Sequence, residues 1–125
     1  MTQILIIDDE AIIRHLLRQA LEHVGYDVIE ACNGHEGLQC CRRALPHLVI
    51  TDLVMPKQNG LELIVQLRRE FPTIAIIAMS GSAPQELERA KQLGAHCTVQ
   101  KPFDLWTITD MVDQLIQSVV PSVAD

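Results

Sequence analysis

Clustered basic residues are missing from this chain. Its 125 residues contain 10 lysines and arginines against 16 aspartates and glutamates, which gives a net charge of −6. The longest basic runs are the pairs Arg42-Arg43 and Arg68-Arg69. Affinity for nucleic acids comes mainly from clustered cations that neutralise phosphates. We therefore expect no direct binding of DNA or RNA by this chain.

Long apolar segments are also missing. No stretch of the sequence approaches the roughly 18 continuous apolar residues that a membrane-spanning helix needs. The first apolar run has no basic stretch before it and is interrupted by acids after Ile7, which is unlike a secretory signal. We therefore expect no membrane association and a cytoplasmic location.

Cysteine and histidine pairs at metal-binding spacings are absent. Cys32, Cys40, Cys41 and Cys97 form no C-x-x-C motif, and the five histidines are scattered along the chain. Zinc sites usually use closely spaced pairs of these residues. The pattern argues against a zinc site and indicates free thiols in a reducing compartment.

The chain does contain a regular alternation of short apolar runs and longer amphipathic segments. Its length is typical of one domain and 48% of its residues are apolar, so we expect one domain over residues 1–120 and a tail or the start of a linker over 121–125. Apolar strands alternating with helices predict a parallel sheet that helices cover on both faces. The predicted strands are Ile4–Ile7, Val28–Ala31, Leu48–Thr51, Ile74–Met79 and Cys97–Val99, and the first helix should bury one face made of Ile13, Leu16, Leu17, Ala20, Leu21 and Val24.

Polar side chains follow four of the five predicted strands. Asp8 and Asp9 follow the first strand, Asp52 the third, Ser80 the fourth and Lys101 the fifth. In an open parallel sheet, ligands bind beyond the carboxyl ends of the strands. These side chains should therefore offer carboxylates, a hydroxyl and an ammonium to one crevice.

The three aspartates of this group point to a cation. Neighbouring carboxylates repel one another and raise each other's pKa, whereas a cluster of hard oxygen ligands suits Mg²⁺. Acids at the start of a helix also interact favourably with the helix dipole. That simpler explanation suffices for Glu10, and it would suffice for Asp8 and Asp9 without Asp52 and Lys101. With all four residues at neighbouring strand ends, a Mg²⁺ site is the favoured interpretation.

Four motifs together resemble the CheY-like receiver domain of two-component response regulators. They are IDDE at Ile7–Glu10, TDLVMPKQNG at Thr51–Gly60, the Ser80-Gly81 step and KPF at Lys101–Phe103. The resemblance covers essentially the whole chain, with the motifs in order at the predicted strand ends. It implies an α/β, doubly wound, flavodoxin-like fold whose five-stranded parallel sheet has the strand order 2-1-3-4-5.

The resemblance also implies a function as a phosphoacceptor. Asp52 would take a phosphoryl group, in a Mg²⁺-dependent reaction, from a sensor histidine kinase or a histidine phosphotransfer protein. Ser80 would donate a hydrogen bond to a phosphoryl oxygen, and Lys101, joined to Pro102 by a cis peptide bond, would pair with the phosphoryl group. The chain would catalyse only its own phosphorylation and dephosphorylation, so it is not expected to be an enzyme with an external substrate.

The family's metal ligands and partners carry over in the same way. Mg²⁺ is expected on Asp9, Asp52 and the backbone carbonyl of Val54, with Asp8 contributing directly or through water. Phosphorylation would change a surface made of the fourth helix, the fifth strand and the fifth helix. The expected partners of that surface are a downstream effector protein or domain and a second copy of the chain. Trp106 is either an anchor for such a partner or a large side chain in ordinary packing.

Two positions depart from the usual family pattern. Many members have an aromatic switch residue three positions before the lysine, where this chain has Thr98, so the usual readout through the fifth strand is in doubt. Fast-resetting members have an amide and an acid at the positions of Val54 and Ser82. Both positions flank the approach of hydrolytic water, so this chain should lose its phosphoryl group slowly.

Two other functions compete with this interpretation. A metal-dependent phosphohydrolase can also form an aspartyl phosphate, but such enzymes usually place a D-x-D motif on the first strand and carry a cap domain. A degenerate receiver would act only as a protein-binding module. Intact Asp8, Asp9, Asp52, Ser80 and Lys101 speak against the second alternative.

Overall fold

The computed structural model describes residues 1–56, 58–81 and 84–118. These residues form seven strands and five helices. In chain order they are β1 (Gln3–Ile7), α1 (Ala11–His23), β2 (Asp27–Ala31), α2 (Gly34–Ala44), β3 (Leu48–Asp52), β4 (Val54–Met55), β5 (Gln58–Asn59), α3 (Gly60–Glu70), β6 (Ala75–Ser80), α4 (Pro84–Leu93), β7 (Cys97–Gln100) and α5 (Leu105–Ser118). The domain boundary predicted at residue 120, the tail over 121–125 and Ser82 lie outside the described residues.

Five of the strands form one parallel sheet in the order β2-β1-β3-β6-β7. The two-residue strands β4 and β5 pair with each other in a separate antiparallel hairpin. With that hairpin set aside, the order is the predicted 2-1-3-4-5, and the prediction of a doubly wound sheet is confirmed. The pairing aligns the strand ends, because Asp52 lies opposite Met79 and Ser80 lies opposite Gln100.

Apolar side chains pack on both faces of the sheet. In β1, Ile4 and Ile6 point to one face, where they pack with the buried residues of α1 and α5. Leu5 and Ile7 point to the other face, where α2, α3 and α4 cover them. Successive residues of a strand alternate between faces, so a strand covered on both sides needs a continuous apolar run. This explains why the polar residues of the central strands are concentrated at their ends.

Polar side chains cap the first turns of two helices. Asn33 precedes α2, and its side chain accepts a hydrogen bond of 2.8 Å from the amide of Glu36. Asp104 precedes α5, and its carboxylate accepts a hydrogen bond of 2.9 Å from the amide of Trp106. Both bonds satisfy amides that have no partner within the helix. None of the described helices combines the length and the apolar character that a bilayer crossing requires.

The apolar face predicted for α1 is only partly buried. Leu17 and Leu21 are inaccessible to solvent, but Leu16 is 45% exposed and Val24 is 44% exposed. The reason is geometric, since α1 contacts the sheet through β1 and β2 and contacts α5 at its side. Leu16 and Val24 line an open groove of about 380 Å³ between α1 and α5, together with Trp106. Trp106 is 76% exposed at this groove, so it borders α1 and does not pack into the core.

Candidate functional site

The carboxyl ends of β1, β3, β6 and β7 bring the predicted polar residues to one edge of the sheet. Asp8 follows β1, Asp52 ends β3 and Ser80 ends β6, and all three are buried. Lys101 follows β7, and its amide donates a hydrogen bond of 2.8 Å to the carbonyl oxygen of Ser80. Parallel strands in register therefore assemble the site from segments far apart in the sequence.

Asp8 is held from several directions. Its amide donates to the carbonyl oxygen of Ala31 on β2, over 3.2 Å. Its Oδ1 atom accepts a hydrogen bond of 2.9 Å from the amide of Glu10. Its own carbonyl oxygen accepts a hydrogen bond of 2.7 Å from Nη1 of Arg14. These bonds fix both the backbone and the carboxylate of a fully buried residue.

Lys101 joins the carboxylates of two strands. Its Nζ atom lies 3.0 Å from Oδ2 of Asp8, 3.3 Å from Oδ2 of Asp52 and 3.7 Å from Oε1 of Glu10. Burial alone lowers the pKa of Lys101, but the hydrogen bonds and charges of Asp8 and Asp52 outweigh this effect and raise the pKa. The peptide bond between Lys101 and Pro102 is cis, as the family resemblance implied.

The surroundings of Asp52 disfavour its ionised form even with Lys101 beside it. Burial raises the pKa of Asp52, and the Asp8 carboxylate adds to this rise, while the Lys101 ammonium and the Val54 amide oppose it. The Val54 amide donates to Oδ1 of Asp52 over 3.3 Å. A further positive charge at this position would stabilise the ionised form of Asp52.

Three carboxylates meet in a group suited to a hard cation. Oxygen atoms of Asp8, Glu10 and Asp52 all lie within 4.8 Å of one another. Such a donor set, made only of carboxylate oxygens, fits Mg²⁺. Of the predicted ligands, Asp8 and Asp52 belong to this carboxylate group, whereas Asp9 is exposed and does not join it, and Glu10 takes part although it was not predicted.

Glu10 was assigned only a helix-terminus role from the sequence. It precedes α1 as the N-cap residue, yet its side chain makes no capping hydrogen bond. Its carboxylate lies instead beside Lys101. One feature of the sequence could have indicated this contact. Glu10 directly follows two acids at the end of a strand, so a helix that begins there can direct its side chain toward the neighbouring strand ends.

A second group of charges beside Asp8 was missed entirely from the sequence. Glu30 on β2 forms ion pairs with Arg14, over 3.0 Å, and with Arg18, over 2.7 Å. The spacing of four residues places both arginines on one side of α1. Their acidic partner comes from a neighbouring strand, so no local pattern reveals the contact.

Comparison with known proteins gives one consistent family. The family model described as the response regulator receiver domain matches residues 4–113. The probable transcriptional regulator ycf27 of Porphyridium aerugineum is 41% identical over 101 residues, which are 81% of this chain and 42% of that protein. The sporulation initiation phosphotransferase F of Bacillus subtilis is 31% identical over 115 residues and is covered to 93%. This chain thus spans less than half of the first of these relatives and nearly all of the second.

Solved structures show the same likeness. The crystal structure of a response regulator receiver domain protein from Clostridium thermocellum has a TM-score of 0.88 and 28% sequence identity. The match covers 94% of this chain and 95% of that one. The likeness therefore extends over nearly the whole length of both chains.

Proposed function

This chain belongs to the family of response regulator receiver domains, and we propose that Asp52 is the residue on which it accepts a phosphoryl group. Members of this family act as phosphoacceptors in response regulators. The observation that carries the assignment to Asp52 is the pair of contacts from Lys101 to Asp8 and Asp52, 3.0 and 3.3 Å long. They join two buried acids to one cation at the edge of the sheet where ligands bind, and of the two acids Asp52 is the one that ends a central strand.

The reaction that we propose is an in-line phosphoryl transfer. A bond forms between a carboxylate oxygen of Asp52 and the phosphorus of a phosphohistidine on a kinase or phosphotransfer protein. The bond between phosphorus and the imidazole nitrogen of that donor breaks, and its electron pair stays on the leaving imidazole. Positioning of the nucleophile and stabilisation of the negative oxygens are the main requirements of this chemistry.

The residues around Asp52 supply both requirements. The Val54 amide, which donates to Oδ1 of Asp52, holds the orientation of the carboxylate. Lys101 would move from the Asp52 carboxylate to an oxygen of the incoming phosphoryl group. Ser80 ends the adjacent strand, and in our proposal its hydroxyl donates to a second phosphoryl oxygen. Gly81 is small, so it leaves room for that group.

The cation proposed for this site is Mg²⁺. Asp8, Asp9, Asp52 and the carbonyl of Val54 would hold it, and Glu10 is a further oxygen donor that lies close enough to contribute. When bound, the cation would supply positive charge beside the transferred oxygens. The protein residues keep the ligands fixed before the phosphoryl group arrives, because Asp8 is already held by three hydrogen bonds.

Phosphorylation would then act through the segments attached to Ser80 and Lys101. Ser80 leads to α4 and Lys101 leads to α5, so movement of either side chain toward a phosphoryl group would shift the surface formed by α4, β7 and α5. We propose that this surface contacts an effector protein or domain, and a second copy of the chain, in the phosphorylated state. The residue at the family's aromatic switch position is Thr98 on β7. It has no aromatic ring, so in our proposal the readout does not use a rotamer change of such a ring.

The competing functions are less well supported. A phosphohydrolase of this kind usually places its nucleophile in a D-x-D motif on the first strand, and Asp8-Asp9-Glu10 after β1 lacks that spacing. A degenerate receiver would lack one of the charged groups, whereas this chain has Asp8 and Asp52, and Lys101 contacts both. We propose that the chain turns over no substrate except its own aspartyl phosphate and binds no nucleic acid itself.

The test is mass spectrometry after incubation with acetyl phosphate, with Mg²⁺ or with a chelator. We expect one phosphoryl group, present only with Mg²⁺ and located on Asp52. Asp52→Asn should abolish the label, and the matched control Asp110→Asn, at an exposed aspartate of α5, should keep it. A label that persists in Asp52→Asn, or that lies on a hydroxyl residue, would contradict the assignment.

A further inference from the structure

Arg14 contacts the backbone of the site directly. Its Nη1 atom donates a hydrogen bond of 2.7 Å to the carbonyl oxygen of Asp8. Its Nε atom donates a bond of 3.0 Å to Oε1 of Glu30. The guanidinium therefore uses two edges of its planar fork for two different acceptors. An ammonium has no such fork, so a lysine would not reproduce the arrangement.

Glu30 is the residue that orients this guanidinium. It lies on β2 opposite Ile6 of β1, and its other carboxylate oxygen accepts a bond of 2.7 Å from Arg18. The side chains of Arg14 and Glu30 are each 18% exposed, so their ion pair is better shielded than most surface pairs. Burial raises the pKa of Glu30, but the hydrogen bonds from Arg18 and Arg14 outweigh it and hold that pKa below its ordinary value.

We infer that Arg14 is a positioning residue of the phosphoacceptor site, with Glu30 holding it in place. The inference rests on the proposed function. The carbonyl that Arg14 holds belongs to the peptide unit between Asp8 and Asp9. The orientation of this peptide unit sets the positions of the Asp8 and Asp9 side chains, and both are proposed ligands of the cation. Removal of a residue that orients a metal ligand commonly weakens metal affinity by about tenfold or more.

Two simpler explanations make different predictions. If Arg14 only stabilised the fold through its ion pair with Glu30, loss of the Arg14 pair and loss of the Arg18 pair would change Mg²⁺ affinity equally. If it only contributed positive charge near the acids, a lysine would serve as well. Arg18 provides the matched control, because it also pairs with Glu30, but its guanidinium donates to Glu22 and Glu30 and not to the backbone of Asp8.

The experiment measures Mg²⁺ affinity of the unphosphorylated protein by isothermal titration calorimetry, together with urea unfolding. We expect Arg14→Gln to weaken Mg²⁺ binding about tenfold, while Arg18→Gln stays within about twofold of the wild type. Phosphorylation of Arg14→Gln by acetyl phosphate should be slow at low Mg²⁺ and recover at saturating Mg²⁺. Equal Mg²⁺ affinities for the two variants would overturn the inference.

Two further variants cover the case in which Arg14→Gln does not fold. Arg14→Lys keeps the charge but not the fork, and it should lose most of the affinity that Arg14→Gln loses. Glu30→Ala leaves Arg14 in the chain without the carboxylate that orients it, and it should bind Mg²⁺ more weakly than Arg18→Gln does. Wild-type affinity in Arg14→Lys, or in Glu30→Ala, would overturn the positioning role.

The same measurements separate this inference from the proposed function. If the wild type neither binds Mg²⁺ nor acquires a label on Asp52, the proposed function fails. If the wild type does both and Arg14→Gln matches it at low Mg²⁺, only the role of Arg14 fails. The calorimetric titration needs no phosphodonor, so it reports on ligand positioning without the transfer reaction.

Discussion

The Nζ atom of Lys101 lies 3.3 Å from Oδ2 of Asp52, although the two residues are 49 positions apart in the sequence. Asp52 ends β3 and Lys101 follows β7, and these two strands are not neighbours, because β6 lies between them. The long side chain of Lys101 therefore reaches across one strand end to its partner. A phosphoryl group on Asp52 would change what Lys101 contacts, and this gives the lysine a direct way to report phosphorylation.

The first prediction concerns Lys101→Ala. The carboxylates remain in this variant, so Mg²⁺ binding should be largely intact. Phosphorylation should no longer change the environment of α4, because the link between the phosphoryl group and the β7 end is gone. Backbone amide chemical shifts of α4, recorded with and without phosphodonor, measure this. Arg69→Ala, at an exposed position of α3, is the control, and wild-type shift changes in Lys101→Ala would refute the role.

The strand ends were predictable from the sequence because they obey a simple rule. Parallel strands covered on both faces are apolar until they leave the sheet, so the first polar residues after each run mark one edge. Asp8, Asp52, Ser80 and Lys101 were found in this way. A parallel sheet with helices on both faces followed from the same alternation of short apolar runs and amphipathic helices, whereas the strand order came from the family resemblance.

The contacts of Glu10 and Arg14 were not predictable by that rule. Each depends on which way a long side chain turns from the start of α1, and on an acid or lysine delivered by another strand. The exposure of Leu16 and Val24 depends similarly on how α1 sits beside α5. Periodicity shows that a helix has an apolar stripe, but the neighbouring elements determine how wide a stripe becomes buried.

A second prediction concerns Gly60→Ala. Gly60 begins α3, and a Cβ atom there would lie 2.4 Å from both the Cα atom and the carbonyl oxygen of Leu53, which directly follows Asp52. Backbone cannot rotate away as a flexible side chain can, so the variant should lose about 3 kcal/mol of unfolding free energy. Urea denaturation measures this loss.

The matched control for Gly60 is Gly81→Ala. Among the residues that the structure describes, a Cβ atom on Gly81 would meet only the Cβ of Lys101, at an ordinary distance of 3.7 Å. The unphosphorylated variant should therefore stay within about 0.5 kcal/mol of the wild type. If the two alanine variants were equally stable, close packing of α3 against the segment after Asp52 would not be the reason for glycine at position 60.

A third prediction concerns His96 and pH. Its Nδ1 atom accepts a hydrogen bond of 3.1 Å from the amide of Ile76. Burial, and then the charge of Arg68, lower the pKa of His96 from its ordinary value of 6.5. The unfolded chain therefore binds a proton before the folded one does as pH falls. Stability should decrease from about pH 6.5 down to the lower, folded-state pKa.

The variant His96→Asn tests this, because an amide oxygen can accept the same hydrogen bond without titrating. Its unfolding free energy should fall less between pH 7 and pH 5.5 than that of the wild type, and the difference cannot exceed about 1.4 kcal/mol per pH unit for one proton. His15→Asn, at an exposed position of α1, should follow the wild type. Parallel curves for His96→Asn and wild type would exclude His96 as the source.

The last prediction concerns how long the phosphoryl group stays on Asp52. Hydrolysis needs a water molecule in line with the phosphorus. A side chain that positions this water lowers the barrier to hydrolysis. Val54 lies two residues after Asp52, and its side chain is 53% exposed, with no donor or acceptor to orient water. Val54→Asn should accelerate dephosphorylation roughly tenfold, which corresponds to about 1.4 kcal/mol of barrier. Decay of the Asp52 phosphate is followed after donor removal with Mg²⁺ present, with Val54→Leu as the apolar control. Equal decay in the asparagine and leucine variants would mean that the polarity of this side chain does not control the approach of water.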